Sequence, residues 1–153
     1  RNFSKYGGGC FHDMSPYASS LINLFFKNRR YSLQCKKKKN KEGIVNNFEI
    51  KVKTKNIYLE ASFSFNSVYK NEILIHNQKK KYFMDYAFSP PINKTLELSV
   101  FDKILKKNYI IKFPKQNVFY TYFNQIFKIL REKRYNHFYK EIKNIAEIKK
   151  KIS

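Results

Sequence analysis

FEIKVKTKNIYLEASFSF, residues 48–65, alternates apolar and polar side chains: Phe48, Ile50 and Val52, then Ile57, Leu59, Ala61, Phe63 and Phe65. A period of two puts one set on one face of a pleated strand, so this stretch predicts half-buried antiparallel β-structure. The alternation returns in Leu96, Leu98 and Val100. Working outward, turn-like residues divide the region into strands near 48–54, 57–65, 72–77, 82–88, 95–101 and 108–113. Pro90-Pro91 cannot lie inside a central strand and marks a connection. Short strands without intervening helices disfavour a parallel α/β fold.

A sheet with one apolar face needs a cover. After Pro114 the period changes: Phe119, Tyr122, Phe123, Ile126, Phe127 and Leu130 recur at three and four, and so do Phe138, Ile142, Ile145, Ile148 and Ile152. The stripe from Val118 to Ile152 predicts one long helix, or two with a bend near Tyr135 to His137. The expected fold is therefore α+β, a small antiparallel β-sandwich or curled sheet covered by a long C-terminal helix. Its expected parts are a basic N-terminal extension (1–47), the β core (48–113) and the helical end (114–153).

Within the extension, Gly7, Gly8 and Gly9 permit close approach of the backbone to another surface. They form no phosphate loop, because that pattern needs a preceding strand and a following Gly-Lys-Ser/Thr. Ser15-Pro16 reads as a helix start, with Ser as N-cap and Pro in the first turn. A helix from about Pro16 to Asn28 would place Tyr17, Leu21, Leu24 and Phe25 on one face. It runs into Lys27, Arg29, Arg30 and Tyr31, then Lys36, Lys37, Lys38, Lys39 and Lys41. Four adjacent lysines cannot share a buried environment, so this second group is expected in a loop.

The chain has 153 residues, enough for one domain with a real core, and carries 32 Lys+Arg against 11 Asp+Glu, a net charge of +21. The excess is spread out: +8 over residues 1–47, +6 over 48–113 and +7 over 114–153. Such a field implies an anionic partner: a nucleic acid, an anionic membrane or an acidic protein. Lys, Asn, Ile, Phe and Tyr all have AT-rich codons, which accounts for part of the lysine excess but not for the scarcity of Asp and Glu. No apolar run reaches the length needed to cross a bilayer, so no transmembrane segment is expected. Two cysteines, Cys10 and Cys35, are too few for a disulfide framework and suit a reducing or organellar matrix.

Catalysis has no constellation to stand on. His12, His76 and His137 are scattered, so no enzyme, cofactor or small-molecule substrate is expected. Cys10, His12 and Asp13 lie close together but match no zinc spacing, and no metal is assigned. Three cationic runs adjoin a tyrosine: Arg29, Arg30 and Tyr31; Lys79, Lys80, Lys81 and Tyr82; and Arg131, Lys133, Arg134 and Tyr135. Cations beside such a ring can hold phosphate while the ring stacks on an unpaired base, which is a means of holding RNA.

Residues Tyr58 to Asp102 resemble part of a calcium- and lipid-binding sandwich domain of the synaptotagmin type, with LELSVFD similar to its late strand. That resemblance implies loop acids for calcium, of which only Asp85 and Asp102 are suitably placed. The opening RNFS resembles a mitochondrial presequence cleavage site. KEIKNIAEIKKKIS is similar to the last helix of a small helical-hairpin protein at the ribosomal exit tunnel, a family from which the β region departs. With the basic extension and a pI near 9.9, the whole resembles a mitochondrial ribosomal protein of an AT-rich protist. What the resemblance implies is a structural, RNA-binding subunit in the mitochondrial matrix, with rRNA and neighbouring ribosomal proteins as partners. The alternatives are an accessory subunit of another mitochondrial complex and a peripheral membrane module on anionic lipid.

Overall fold

A computed structural model describes residues 8–153, so the expectations resting on RNFS and Gly7 lie outside the described residues. The fold is α+β, in the order α1 (Cys10–Phe26), β1 (Ser32–Lys39), β2 (Val45–Lys53), β3 (Tyr58–Ser64), β4 (Glu72–His76), β5 (Lys80–Asp85), β6 (Leu96–Asp102), β7 (Lys107–Phe113), α2 (Val118–Arg131) and α3 (Tyr135–Ile152). All β pairing is antiparallel, in two sheets of orders β1-β2-β3 and β4-β5-β6-β7. The described chain divides into two compact units: one runs to Ser67 and resumes at Tyr135–Ser153, and the other is Val68–Arg134. The boundary expected between Asn47 and Phe48 falls inside β2.

In the first unit β2 is the central strand, and its Phe48, Ile50 and Val52 are fully buried. Register aligns Phe48 with Lys37 and Phe63, Ile50 with Cys35 and Ala61, and Val52 with Leu33 and Leu59. These nine side chains share one face, and α1 and α3 pack on this unit's sheet. Phe48 stacks on Phe63 at 4.7 Å and meets Phe11 edge-on at 5.1 Å. The opposite face is polar, where Lys51 pairs with Glu60 at 2.9 Å and Tyr58 donates to the same carboxylate at 2.8 Å.

Three expectations are corrected here. The N-terminal region is no extension, because α1 and β1 supply part of the core. Lys36 to Lys39 are not a loop; they lie in β1, an edge strand in which alternation turns Lys37 inward and leaves Lys36 and Lys38 exposed. Edge lysines are a usual guard against further strand pairing. Finally, α1 begins at Cys10, not at Pro16, and Ser15 is buried within it. Pro16 occupies the second turn, and the backbone bond it forfeits would go to the carbonyl of His12, an exposed residue. The buried face of α1 is Phe11, Ser15, Ala18, Ser19, Ile22 and Phe26, while Tyr17 and Leu24 are exposed. Small side chains let the helix come close to the sheet, so size and not polarity decides which face goes in.

In the second unit, β4–β7 form a meander with tight turns at 77–79 and 103–106 and a longer connection, residues 86–95, between β5 and β6. Asn77 Oδ1 accepts from the backbone N–H groups of Lys79 and Lys80 at 2.9 and 2.8 Å. α2 starts at Asn117, whose side chain accepts from Tyr120 N–H at 3.1 Å. It stops where Lys133 takes φ +52 and the N–H groups of Lys133 and Arg134 reach back to Leu130 and Ile129. That is a Schellman ending with lysine in the left-handed position, and it separates α2 from α3. Of the two alternatives, one long helix or a pair, the chain adopts the pair, with α3 starting at Tyr135. α3 packs on α1 and β1, and α2 has no buried residue.

Replacing Phe48 with Ala removes two ring contacts from a site with no exposure. A loss of about 3–5 kcal/mol is expected, read as a lowered urea midpoint at unchanged slope.

Candidate functional site

The outer face of α1 near its start gathers the chemistry that the core does not use. Gly9 leads into it at φ +124, where a Cβ would meet the Val45 carbonyl oxygen at 3.0 Å and Ile44 Cγ2 at 3.1 Å. Glycine is needed there for the helix to start hard against the chain entering β2. Phe11 and Cys10 then turn inward, and His12, Asp13, Pro16 and Tyr17 face outward. Asp13 sits in the first turn, where the helix dipole favours a carboxylate. Tyr17 follows four residues later, one turn along the same face. A carboxylate and a phenol so arranged can hold and pass a proton to a bound polar group.

Cys10 does not belong to this face. Its thiol is fully buried, 3.6 Å from Met14 Sδ, and burial followed by the nearby Asp13 charge pushes its pKa up to about 11. His12 and Asp13 are therefore not joined by a thiolate, and no group of three metal-ligating side chains occurs among the described residues. Cys35 is likewise raised by burial, with Lys37 opposing.

The basic residues singled out in the sequence do not form one surface. Lys27, Arg29, Arg30 and Tyr31 follow α1, and Lys41 lies in the turn before β2. Lys37 packs 3.9 Å from the Phe11 ring centroid and donates to the Ser153 carbonyl, so it serves the core. Lys79, Lys80 and Lys81 belong to the other unit, where Lys80 donates to Tyr109 Oη at 3.0 Å and lies 3.7 Å from Asp102. Arg131 and Lys133 close α2, and Arg134 pairs with Glu132. One cluster does converge: Arg29, Arg30, Tyr31, Leu33 and Lys151 line a shallow depression of about 450 Å³. Lys151 is the member that sequence reasoning missed as a partner, for nothing local links it to residues 29–31. A second depression, of about 350 Å³, lies between α1 and α3 beside Ser20, Lys27 and Glu141.

LELSVFD is β6, inside a four-stranded meander, and its aspartate is turned to its own backbone. Asp102 Oδ1 accepts from Ile104 and Leu105 N–H at 2.9 and 3.0 Å. The Leu105 N–H, then that of Ile104 and the Lys80 charge, hold this carboxyl below its usual range. Asp85 accepts from Tyr86 N–H at 2.9 Å. Both loop acids thus have backbone partners that the calcium reading would have had to displace.

No protein-family model matches the chain, and no curated protein matches it either. Solved structures do. The fold is similar to that of KijD10, a 3-ketoreductase from Actinomadura kijaniata. A point mutant in complex with TDP-benzene and NADP aligns over 95% of this chain and 46% of that one, with a TM-score of 0.83 at 12% identity. The complex with NADP aligns over 93% and 45%, with a TM-score of 0.78 at 12% identity. The open conformation with both ligands aligns over 82% and 40%, with a TM-score of 0.72 at 13% identity. The chain spans less than half the length of these structures.

This likeness overturns the ribosomal reading. The fold resembles part of a ketoreductase, and nothing in it supports a ribosomal, RNA-binding or translational role. The physical cause of the error is the lysine excess: its spread over every part of the chain suggests polyanion on several sides, and it fits equally well a fold that holds its cations locally. The structure scatters those lysines over both units, an edge strand, two hairpins and two helix ends.

Asp102 gives a pH test. Its folded-state pKa is lowered, so its contribution to stability is present above the unfolded value of about 4 and is lost as pH falls through the folded value. Between pH 5 and pH 2 the urea midpoint should fall more for the natural chain than for Asp102→Ala, and parallel curves would show that the carboxylate is not held this way.

Proposed function

We propose that this chain is the half of a carbonyl-reducing oxidoreductase that bears no nucleotide-binding motif, offering the α1 face to substrate and joining copies through the second sheet. On its own it carries no complete catalytic apparatus, and a nicotinamide-binding part would complete it. The observation that carries this reading is the alignment of nearly the whole chain with less than half of a reductase described with NADP. Asp13 and Tyr17 suit the task. Reduction of a ketone by hydride leaves an alkoxide that must take up a proton, and a phenol at hydrogen-bond distance can give one while a carboxylate orients or resupplies it.

The test uses the full-length protein with NADPH and a panel of ketone substrates, including 3-keto sugars. NADPH oxidation coupled to substrate loss is expected. Tyr17→Phe should lower kcat by about a hundredfold or more with KM little changed. Absence of both NADPH binding and carbonyl reduction would overturn the reading, as would full activity in Tyr17→Phe.

Assembly is supported by one face of the β4–β7 sheet. Leu74, Phe83, Ser99 and Ile110 lie in register across all four strands, with Phe101 beside them. Every side chain on this face is exposed, and Leu74 and Ile110 remain more than half so. Its charged residues are Glu72, Asp85, Glu97, Lys81 and Lys112, a net −1 on a chain of +21. Two copies so strongly cationic repel nearly everywhere, and a nearly neutral face that exposes Leu74, Phe83, Phe101 and Ile110 is where they can meet. Sedimentation velocity should show a dimer at micromolar concentration. Phe83→Glu with Ile110→Glu should weaken it at least roughly thirtyfold while leaving circular dichroism unchanged. A natural protein that stays monomeric at every concentration would exclude this arrangement.

A further inference from the structure

The depression lined by Arg29, Arg30, Tyr31, Leu33 and Lys151 is built from two distant parts of the chain. Asn28 takes φ +63 immediately after α1, and Arg29 N–H reaches back to the Phe26 carbonyl at 3.0 Å. This turn reverses the chain and sets Arg29 and Arg30 at the mouth of β1. Phe26 is buried, and its ring meets Tyr31 edge-on at 5.7 Å, so the turn is anchored from below. Lys151 arrives from the last turn of α3. Ile148 and Ile152, on either side of it, are buried in the core, which fixes the helix and holds the Lys151 ammonium 5.7 Å from the Tyr31 ring centroid.

Three cations are thereby placed around one concavity. Among the described residues, none of the three is in an ion pair with a carboxylate, whereas Lys51, Lys70, Lys80, Lys112 and Arg134 each are. Gathering like charges without a counterion raises the energy of the folded state, and an anion seated between them reverses that term. Arginine pairs suit planar or tetrahedral oxyanions because each guanidinium offers a fork of donors. The volume of about 450 Å³ exceeds what a bare inorganic ion requires, and the depression is open to solvent on one side. Leu33 and the Tyr31 ring are the apolar part of its lining.

We infer that this depression binds a small phosphorylated organic molecule, its phosphate or diphosphate held by Arg29, Arg30 and Lys151 and its organic part lying on Leu33 and Tyr31. The site is separate from the α1 face assigned to the reductase reading and stands or falls independently of it. Isothermal titration of the full-length protein at physiological salt, with uridine diphosphate, pyrophosphate and a single-stranded oligonucleotide as probes, tests it. Uridine diphosphate should bind saturably at one site and more tightly than pyrophosphate. Arg30→Gln and Lys151→Gln should each weaken it about tenfold, and Lys38→Gln, on the outer face of β1, should leave it unchanged. These are exposed positions, and thermal melting checks that each variant is folded. No saturable binding of uridine diphosphate, an equal loss in Lys38→Gln, or binding of the oligonucleotide alone would each overturn the inference.

Discussion

Phe11 from α1 meets Phe48 from β2 edge to face, and the first unit depends on that contact. Phe48 is sandwiched, with Phe63 stacked flat on one side and Phe11 set at 73° on the other. For Phe11 to reach it, α1 must begin as early as Cys10 and the chain must pass close to Val45, which requires the glycine at position 9. For the rest of α1 to follow the sheet, its inner residues must be small, and Ser15, Ala18 and Ser19 are. The cost is two buried hydroxyls, Ser15 and Ser19, with no hydrogen-bond partner among the described residues. Because the inner face is used in this way, the larger polar side chains of the helix start, His12, Asp13 and Tyr17, are all turned outward. The proposed reactive face is a consequence of how the core is packed.

The excess of cations is managed locally. Lys37 enters the core side of the sheet, where the Phe11 ring and the end of α3 receive its charge. Lys80 is balanced by Asp102, itself fixed by backbone donors, and by the Tyr109 hydroxyl. On the outer face of the first sheet, Lys51, Tyr58 and Glu60 form a hydrogen-bonded set that lowers the glutamate's pKa, through the Lys51 bond first and the Tyr58 bond next. With carboxylates so few, their distribution carries information. Most are on strands and hairpins, and three of them, Glu72, Asp85 and Glu97, lie on the open side of the second sheet. The region of Arg29, Arg30 and Lys151 receives none, although α3 carries Glu141 and Glu147 on its way there.

The strands of residues 48–113 were legible because alternation over five or more residues has no competing explanation. β1 was hidden by composition. The pattern Leu33, Cys35, Lys37 alternates correctly, but a run of four lysines carries no hydrophobic signal, and register with β2 is what reveals it. The start of α1 was misplaced because Ser15-Pro16 is a sound local signal for a helix N-terminus. Tertiary burial of Cys10 and Phe11 overrode it, and proline is tolerable one turn further in when the lost acceptor can face water. The break between α2 and α3 was visible as an interruption of the stripe. Its ending was not, since the left-handed position holds a lysine where glycine is usual. Of the proposed site, Asp13 was noticed only beside Cys10 and His12, in a spacing that fits no zinc site, while Tyr17 was assigned to an apolar face by spacing that ignored side-chain volume.

A shared fold at 12% identity is physically unsurprising, and it limits what can be transferred. A sheet face asks for alternation and roughly the right volume, a helix face for period and for small residues where it must come close. Many sequences satisfy those demands. None of them fixes what stands on the outside of α1 or around the turn after it, so the fold supplies positions and not chemistry. The side chains at those positions are then the discriminating evidence. The carboxylate and phenol of Asp13 and Tyr17 lie outside the buried core, and two arginines facing a lysine oppose the fold electrostatically. Features that a fold neither needs nor favours are where a function specific to this chain is to be sought.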